Sequence, residues 1–279
     1  MPELLPGIAS ALSPLVRRIL APNPGIMTGP GTNTYLVGID EVAVIDPGPD
    51  DDDHLEAILG CGGDRIRWIV LTHTHPDHWP LAPRLKERTG AEIVAYDSRD
   101  GLVVDRELRD GDLVEGTEFR LKAMHTPGHA SNHLCFWMEQ ENRLFSGDHV
   151  MSGSTVVIAP PDGNMTEYLE QLERVRPLRM KSIAPGHGEL IDEPHAKIDE
   201  YVTHRLAREA AIAGALEKAG TATVEELVTA VYTDVAEELH PIARWSVWAH
   251  LRKLAREHRA SSADVDDVES IWSPADPQD

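Results

Sequence analysis

The sequence predicts an α/β protein: an αββα sandwich of two mixed sheets with outer helices, followed by a small α-helical domain at the C-terminus. Short apolar runs alternate with helical segments before Glu193, which is the order expected when sheets pack between helices. From Glu193 the composition shifts toward Ala, Glu, Arg and Leu, which favour helix. We expect domains at residues 1–220 and 221–279.

The elements of the first domain are predicted from apolar runs bounded by turn residues. Residues 1–30 are rich in proline, and we expect them to form an irregular segment along a sheet edge. Four consecutive acidic residues, 50–53, precede a helical stretch and offset its dipole; a calcium site is the alternative. Strands are predicted at 34–37, 42–45, 66–71, 92–95, 113–114, 119–124, 134–138, 144–145 and 182–184, and helices at 81–88 and 165–175.

The densest chemical signal follows the strand predicted at 66–71. The stretch Thr72-His73-Thr74-His75-Pro76-Asp77-His78 holds three histidines and one aspartate within six residues. Imidazole and carboxylate groups are ligands that suit zinc and related divalent ions. In extended backbone His73 and His75 point the same way, and Asp77 and His78 follow at a turn. One loop cannot complete two metal shells, so further ligands are expected downstream.

Three such residues follow, each beside a glycine and just after a short apolar run. They are His129 in a Pro-Gly-His sequence, Asp148 in Ser-Gly-Asp-His, and His187 in Pro-Gly-His-Gly. Glycine permits the tight bend that such a strand end needs. Asp46 ends an earlier strand, where it would either orient a ligand or serve as a turn or capping residue.

These motifs, with Gly31–Val37 and Ile45–Gly48, resemble the pattern of the metallo-β-lactamase fold superfamily: H-x-H-x-D-H, then His, Asp and His. More narrowly, the chain resembles the beta-lactamase-like protein 2 branch, which appends a winged-helix-like domain. The chain departs from the superfamily at Trp79-Pro80, where small residues are common, and this puts the shape of the nearby pocket in question. The resemblance implies two zinc ions, with iron or manganese as alternatives. The first metal would take His73, His75 and His129, the second Asp77, His78 and His187, and Asp148 would bridge both.

The resemblance also implies hydrolysis by a hydroxide held between the two metals, with Asp148 beneath it and Asp77 orienting it. We expect a small or medium acyl substrate: a β-lactam, thioester or ester. The first alternative, which the resemblance suggests, is an endoribonuclease that cleaves single-stranded RNA. The second is a non-enzymatic metal-binding sensor or regulator. His125, His133 and His149 lie outside the pattern and are expected to be supporting or core groups; the alternative for His149 is contact with the substrate or with Asp148.

Composition bears on partners and location. The net charge is −21, from 26 basic and 47 acidic side chains, which disfavours contact with nucleic-acid phosphates and anionic membranes. No run has the length of a membrane span, and the N-terminus lacks the layout of a signal peptide. Cys61 and Cys135 do not form a disulfide framework. We expect a cytoplasmic protein without membrane partners.

The C-terminal segment is predicted to form helices at 193–218, 224–232 and 243–258 and a hairpin within 261–272, the order of a winged helix. Residues 221–279 carry five basic against twelve acidic side chains, so we expect no binding of duplex DNA. Apolar residues at helical spacing should form its core: Trp245, Trp248, Leu251 and Leu254. We expect the apolar side to form a wall of the substrate cleft or a subunit contact in a homodimer.

Overall fold

The computed structural model describes residues 4–153, 155–233 and 235–275. The chain divides into two compact units. The first comprises the residues up to Thr126, Asn132–Thr155 and Leu178–Pro194. The second comprises Pro127–Ser131, Val156–Pro177 and the residues from His195 onward. The domain limit at Gly220 stays a prediction.

A seven-stranded sheet forms one layer of the first unit, with its strands in sequence order. Strands β1 to β4 pair antiparallel, and β4 to β7 pair parallel. Helices α1 and α2 pack on one face through Leu55, Ile58 and Leu85, against apolar side chains such as Ile69. The elements are β1 Ser10–Ala11, β2 Val16–Leu20, β3 Asn33–Val37, β4 Val42–Ile45, α1 Asp52–Gly62, β5 Ile66–Val70, α2 Ala82–Thr89, β6 Glu92–Ala95 and β7 Arg106–Glu107.

A five-stranded sheet forms the second layer of this unit, in the order β12-β11-β10-β9-β8. Its strands are β8 Leu113–Glu115, β9 Arg120–His125, β10 Leu134–Met138, β11 Arg143–Gly147 and β12 Ser182–Pro185. Buried side chains of both sheets form one core, in which Tyr35 of β3 meets Phe145 of β11 edge-on, with ring centroids 5.2 Å apart. The loops after β5, β11 and β12 carry six of the seven candidate ligands, all but His129.

The second unit contains four α-helices, a short 3₁₀ helix at Glu237–Leu239 and a two-stranded hairpin among its described residues. Its core holds Trp248, Leu251 and Leu254 as predicted, around the fully buried Trp272, and Trp245 packs against it partly buried. Asn164 accepts hydrogen bonds from the first turn of α3 and caps it. The elements are α3 Met165–Val175, α4 Pro194–Ala219, α5 Val224–Val231, α6 His240–Arg256, β13 Ala260–Ser262 and β14 Trp272–Pro274.

The prediction of an irregular N-terminal segment was wrong for residues 10–11 and 16–20. Strands β1 and β2 lie at the edge of the seven-stranded sheet, and β2 pairs with β3 along its whole length. Val16 and Ile19 are fully buried there, so core packing outweighs the proline-rich flanks. Residues 1–3 of the predicted segment lie outside the described residues. Strand β7 was missed because two residues carry no periodicity.

The acidic run 50–53 opens α1 as predicted. Asp51 is the N-cap, and its side chain accepts a hydrogen bond of 2.8 Å from the His54 backbone N–H. Asp52 and Asp53 lie in the first helical turn, where carboxylates stabilise the helix dipole. The structure therefore supports the helix-capping interpretation of these acids.

Candidate metal centre

Asp46 links the ends of β4 and β5, two parallel neighbours that deliver the ligand loop. It lies just beyond β4 in the left-handed region at φ 48, and only 2% of it is exposed. Its carboxylate accepts hydrogen bonds from the Thr72 backbone N–H at 2.8 Å and the Thr72 hydroxyl at 2.7 Å. Its Oδ2 also lies 2.9 Å from Nδ1 of His78. Of the two predicted roles the structure favours the first, because Asp46 fixes the orientation of the His78 ring.

The His73–His75 segment is held around the residue between the two histidines. The Thr74 hydroxyl donates to Asp100 at 2.7 Å and accepts from the Asn132 amide at 3.1 Å. The Trp79 indole N–H donates to the Thr74 carbonyl at 3.1 Å. Trp79, the residue that departs from the superfamily pattern, therefore ties the end of the ligand loop to its middle.

Asp148 and His187 follow the neighbouring strands β11 and β12. The Asp148 backbone N–H donates to Nε2 of His133 at 3.1 Å, so His133 supports this loop from a fully buried position. Nδ1 of His187 donates to the Gly31 carbonyl at 3.1 Å, which leaves Nε2 for the site. A Cβ on Gly186 would lie 2.6 Å from Asp148 Oδ1, so only glycine lets the two loops approach this closely.

Strand β3 supports the His187 loop through residues to which the sequence assigned no role. The Asn33 amide donates to the carbonyls of Pro185 and Gly188 at 2.9 and 2.8 Å, and the Tyr35 hydroxyl donates to Pro185 at 2.7 Å. The Thr32 hydroxyl donates to the Asp77 carbonyl at 3.0 Å. The motif Gly31–Val37 marked this stretch in the sequence. The partners of Asn33 and Tyr35 lie about 150 residues further along the chain, so the motif did not reveal these contacts.

The ligand-type atoms of the first unit converge. Nε2 of His78 lies 3.4 Å from Asp77 Oδ2 and 3.5 Å from Asp148 Oδ1. Nε2 of His187 lies 3.1 and 3.4 Å from the same two oxygens. Two groups have ligand atoms within 4.8 Å of one another, His73 with His78 and Asp148, and Asp77 with His78 and His187.

The electrostatics of the site couple imidazoles to carboxylates. Burial alone would lower the pKa of His78, but the nearby carboxylates, led by that of Asp77, raise it well above its usual range. Burial opposes the same effect at His187, where Asp148 raises the pKa to about 9. Burial would raise the pKa of Asp148, yet His187 and His78 hold it well below its usual range. Burial also opposes the lowering of the Asp77 pKa, which His78 drives. The carboxylates of Asp77 and Asp148 are therefore ionised and can bind a cation.

The donor set fits divalent cations on two observations. The Nε2 atoms of His78 and His187 are buried and make no hydrogen bond within the described part of the chain, although both face carboxylate oxygens. Nε2 of His73 lies 3.0 Å from Nδ1 of His75, close to the roughly 3.3 Å between two nitrogens on one tetrahedral zinc. Mixed imidazole and carboxylate donors at this spacing can bind metal.

The remaining predicted ligand, His129, belongs to the second unit. It is 8% exposed, and its Nδ1 donates to the Val157 carbonyl at 2.7 Å. Its assignment to the first metal stays a prediction. Of the histidines outside the pattern, His149 is fully buried and His125 stacks on Tyr96 with ring centroids 4.3 Å apart.

Two mixed sheets that present His and Asp side chains at their strand ends define the class: an α/β protein with a candidate metal centre. Residues 27–187 match the metallo-beta-lactamase superfamily, and residues 223–272 match the beta-lactamase associated winged helix domain. The chain belongs to the metallo-β-lactamase superfamily and is a hydrolase with a C-terminal winged helix domain. The predicted fold class is thereby confirmed.

Individual relatives agree with this assignment. The beta-lactamase-like protein 2 homolog of Caenorhabditis elegans is 32% identical over 257 residues, covering 88% of this chain and 86% of that protein. The atrochrysone carboxyl ACP thioesterase of a Cryptosporiopsis species is 29% identical over 240 residues, covering 80% and 73%. A beta-lactamase domain protein from Burkholderia ambifaria shares the fold with a TM-score of 0.84 at 22% identity, covering 98% and 96%. In the described residues no helix is long and apolar enough to cross a membrane.

Proposed function

We propose that this chain is a two-metal hydrolase of acyl compounds, with zinc as its metal and a thioester as its first substrate class. The observation that carries the proposal is the convergence of the Nε2 atoms of His78 and His187 on the carboxylates of Asp77 and Asp148. When bound, two divalent ions supply Lewis acidity toward a carbonyl oxygen and lower the pKa of water toward ~7. Iron and manganese use similar donors and stay alternatives.

The side chains of the site would bind these ions through deprotonated nitrogen and oxygen atoms. His73, His75 and His129 would hold the first, Asp77, His78 and His187 the second, and Asp148 would touch both. Asp46 accepts a hydrogen bond from Nδ1 of His78, and the Gly31 carbonyl accepts one from Nδ1 of His187, so each ring keeps its Nδ1 proton and can give up its Nε2 proton to a metal. Asp77, whose pKa burial would raise, is kept ionised chiefly by His78 and can accept a hydrogen bond from an attacking water.

Charge supports an acyl compound over RNA. A phosphate backbone is bound by Lys and Arg, yet the net charge is −21. The basic side chains of α6 are themselves engaged: Arg244 with Glu269 at 2.5 Å, and Arg252 with Asp266 at 2.6 Å. The same pairs support the prediction that duplex DNA is not a partner. The relative named as an acyl-carrier-protein thioesterase supports a thioester within the acyl class.

A parallel assay tests the substrate class. Protein purified without added metal is analysed for zinc, iron and manganese, and then assayed on an acyl thioester, a chromogenic β-lactam and a labelled single-stranded RNA. We expect up to two metal ions per chain and the fastest turnover on the thioester. Chelation should abolish turnover, and added zinc should restore it.

A matched variant separates site chemistry from contamination. Asp148→Asn keeps the size of the side chain and removes the charge that would touch both ions. It should lose activity on every substrate that the chain itself hydrolyses. Metal-dependent cleavage of RNA with no acyl hydrolysis would replace this proposal with an endoribonuclease. Metal binding without hydrolysis of any substrate would favour a sensor. The cytoplasmic location and the homodimer stay predictions.

A further inference from the structure

Several residues of the loop that carries His129 form hydrogen bonds within the second unit. The backbone N–H of Asn164, the N-cap of α3, donates to the Gly128 carbonyl at 2.7 Å. The Ser131 backbone N–H and hydroxyl both donate to the Asp162 carboxylate, at 3.1 and 2.5 Å. Both ends of this short loop are therefore fixed to the segment that precedes α3.

Gly128 brings the loop directly against α3. Its φ of +136 is one that side-chain-bearing residues rarely adopt, and a Cβ there would lie 2.4 to 2.6 Å from the Tyr168 backbone and Cβ. The loop backbone therefore packs on the first turn of the helix with no room for a side chain. The position of His129 depends on α3 and not only on the strand before it.

The His129 ring is oriented by the backbone at residues 156 and 157. Its Nδ1 donates to the Val157 carbonyl at 2.7 Å, so the proton stays on Nδ1 and the lone pair stays on Nε2. A carbonyl sets a tautomer in this way only if the carbonyl itself is held in place. One contact on this segment comes from α4.

Arg205 of α4 supplies that contact. It is 2% exposed, and its Nη2 donates to the Val156 carbonyl, the neighbour of the carbonyl that His129 uses. The guanidinium also lies 5.5 Å from the centroid of the Tyr168 ring, on the helix that packs against Gly128. One buried cation thus touches both the segment that orients His129 and the helix that supports its loop.

We propose that Arg205 is a positioning residue for metal binding: it fixes the Val156–Val157 backbone and through it the tautomer and position of His129. This rests on the proposed function, in which His129 is a ligand of the first metal. It gives the long helix α4 a role in the centre that no motif of the sequence indicates. Residues that orient a metal ligand typically change metal affinity 10- to 100-fold when removed.

Arg208 provides a matched control one turn along α4. It makes the same two kinds of contact elsewhere in the second unit: Nη1 donates to the Val231 carbonyl at 2.9 Å, and its guanidinium lies 4.3 Å from the centroid of the Tyr232 ring. Arg208→Met therefore removes a comparable hydrogen bond and ring contact at Val231 and Tyr232.

The experiment measures zinc affinity by competition with a chelating dye for the wild type, Arg205→Met, Arg208→Met and Arg205→Lys. Arg205→Met should weaken one zinc site about 10- to 100-fold and leave the other unchanged. Arg208→Met should bind like the wild type, and Arg205→Lys, which keeps a donor, should recover part of the affinity. Equal zinc affinities in Arg205→Met and the wild type would overturn the proposal, as would equal losses in the two Met variants.

A second readout needs no metal. Nitrogen-15 NMR of the histidine rings in the metal-free protein should find His129 protonated at Nδ1 in the wild type and in Arg208→Met, and a tautomer mixture in Arg205→Met. An unchanged His129 tautomer in Arg205→Met would overturn the positioning role. Absence of zinc binding by the wild type would instead refute the proposed function, and the two outcomes are measured separately. Where Arg205→Met does not fold, Arg205→Gln, whose side chain is shorter and uncharged, carries both measurements. Wild-type tautomer and zinc affinity in Arg205→Gln would overturn the proposal.

Discussion

The replacement of Asp46 by asparagine should damage metal binding in a way that the hydrogen bonds of the site specify. Asp46 Oδ1 accepts from the Thr72 backbone N–H at 2.8 Å, and Oδ2 accepts from the Thr72 hydroxyl and faces His78 Nδ1 at 2.9 Å. A backbone donor needs an acceptor, so the amide oxygen of an asparagine should take the Oδ1 position. Its NH₂ group then points at His78 Nδ1.

Facing this NH₂ group, the His78 ring has two possible arrangements. The ring can move its proton to Nε2, so that Nδ1 accepts from the amide, but Nε2 then no longer offers a lone pair to a metal. Otherwise two N–H groups face each other in a site where His78 is fully buried. Either route should reduce affinity at the His78 position about 10- to 100-fold, which is about 1.4 to 2.7 kcal/mol.

Dye competition for zinc measures this loss, and nitrogen-15 NMR of the zinc-loaded protein identifies which nitrogen of His78 carries the proton. Asp51→Asn is the matched control, since it removes the same charge at a helix N-cap where asparagine caps as well as aspartate. Its zinc affinity should equal that of the wild type. Wild-type affinity in Asp46→Asn, with the His78 proton still on Nδ1, would show that Asp46 does not orient this ligand.

Other consequences concern the site, the fold and the partners. Asp148→Ala should reduce turnover by orders of magnitude while circular dichroism shows a folded protein; full activity would remove Asp148 from the centre. Trp79→Phe should leave the Thr74 carbonyl without its indole donor and lower the free energy of unfolding by about 1 kcal/mol, measured by urea titration. Burial would raise the pKa of Glu209, but His250 and Lys253 lower it to about 2. Its contribution of about 3 kcal/mol should be present above pH 4.5 and lost toward pH 2, so the thermal midpoints of wild type and Glu209→Gln should converge as pH falls. The full chain should show no salt-sensitive, sub-micromolar binding of duplex DNA.

Much of the fold was predictable because its signals are local. The strands at 42–45, 92–95 and 134–138 have the predicted bounds, since each is a short apolar run between turn residues. Helix α3 also begins and ends where predicted, since an asparagine cap and helical spacing are visible within a dozen residues. Strand β2 was missed because its burial depends on pairing with β3, which no window of sequence around it reveals.

The candidate site was predictable as a list of residue types and less so as a set of contacts. The spacing of His73, His75, Asp77 and His78 was enough to indicate metal, because the donors lie within one loop. The support from Asn33, whose partners lie about 150 residues away, has no local signal. The place of the His129 loop in the second unit is likewise decided by Gly128, Tyr168 and Asn164, whose contacts only the folded chain displays.

Trp79 shows how such a contact changes the interpretation of a departure from the family pattern. From the sequence, the large Trp79 ring at a position where small residues are common put the shape of the nearby pocket in question. In the structure its N–H holds the Thr74 carbonyl between two candidate ligands, and its ring lies near Gly101, 3.9 Å from where a Cβ on that residue would be. Asp100, beside Gly101, accepts from the Thr74 hydroxyl although its φ of 55 is costly for a side-chain-bearing residue. Trp79 and Asp100 therefore both stabilise Thr74, the residue between His73 and His75, and so help to fix the positions of these two candidate ligands.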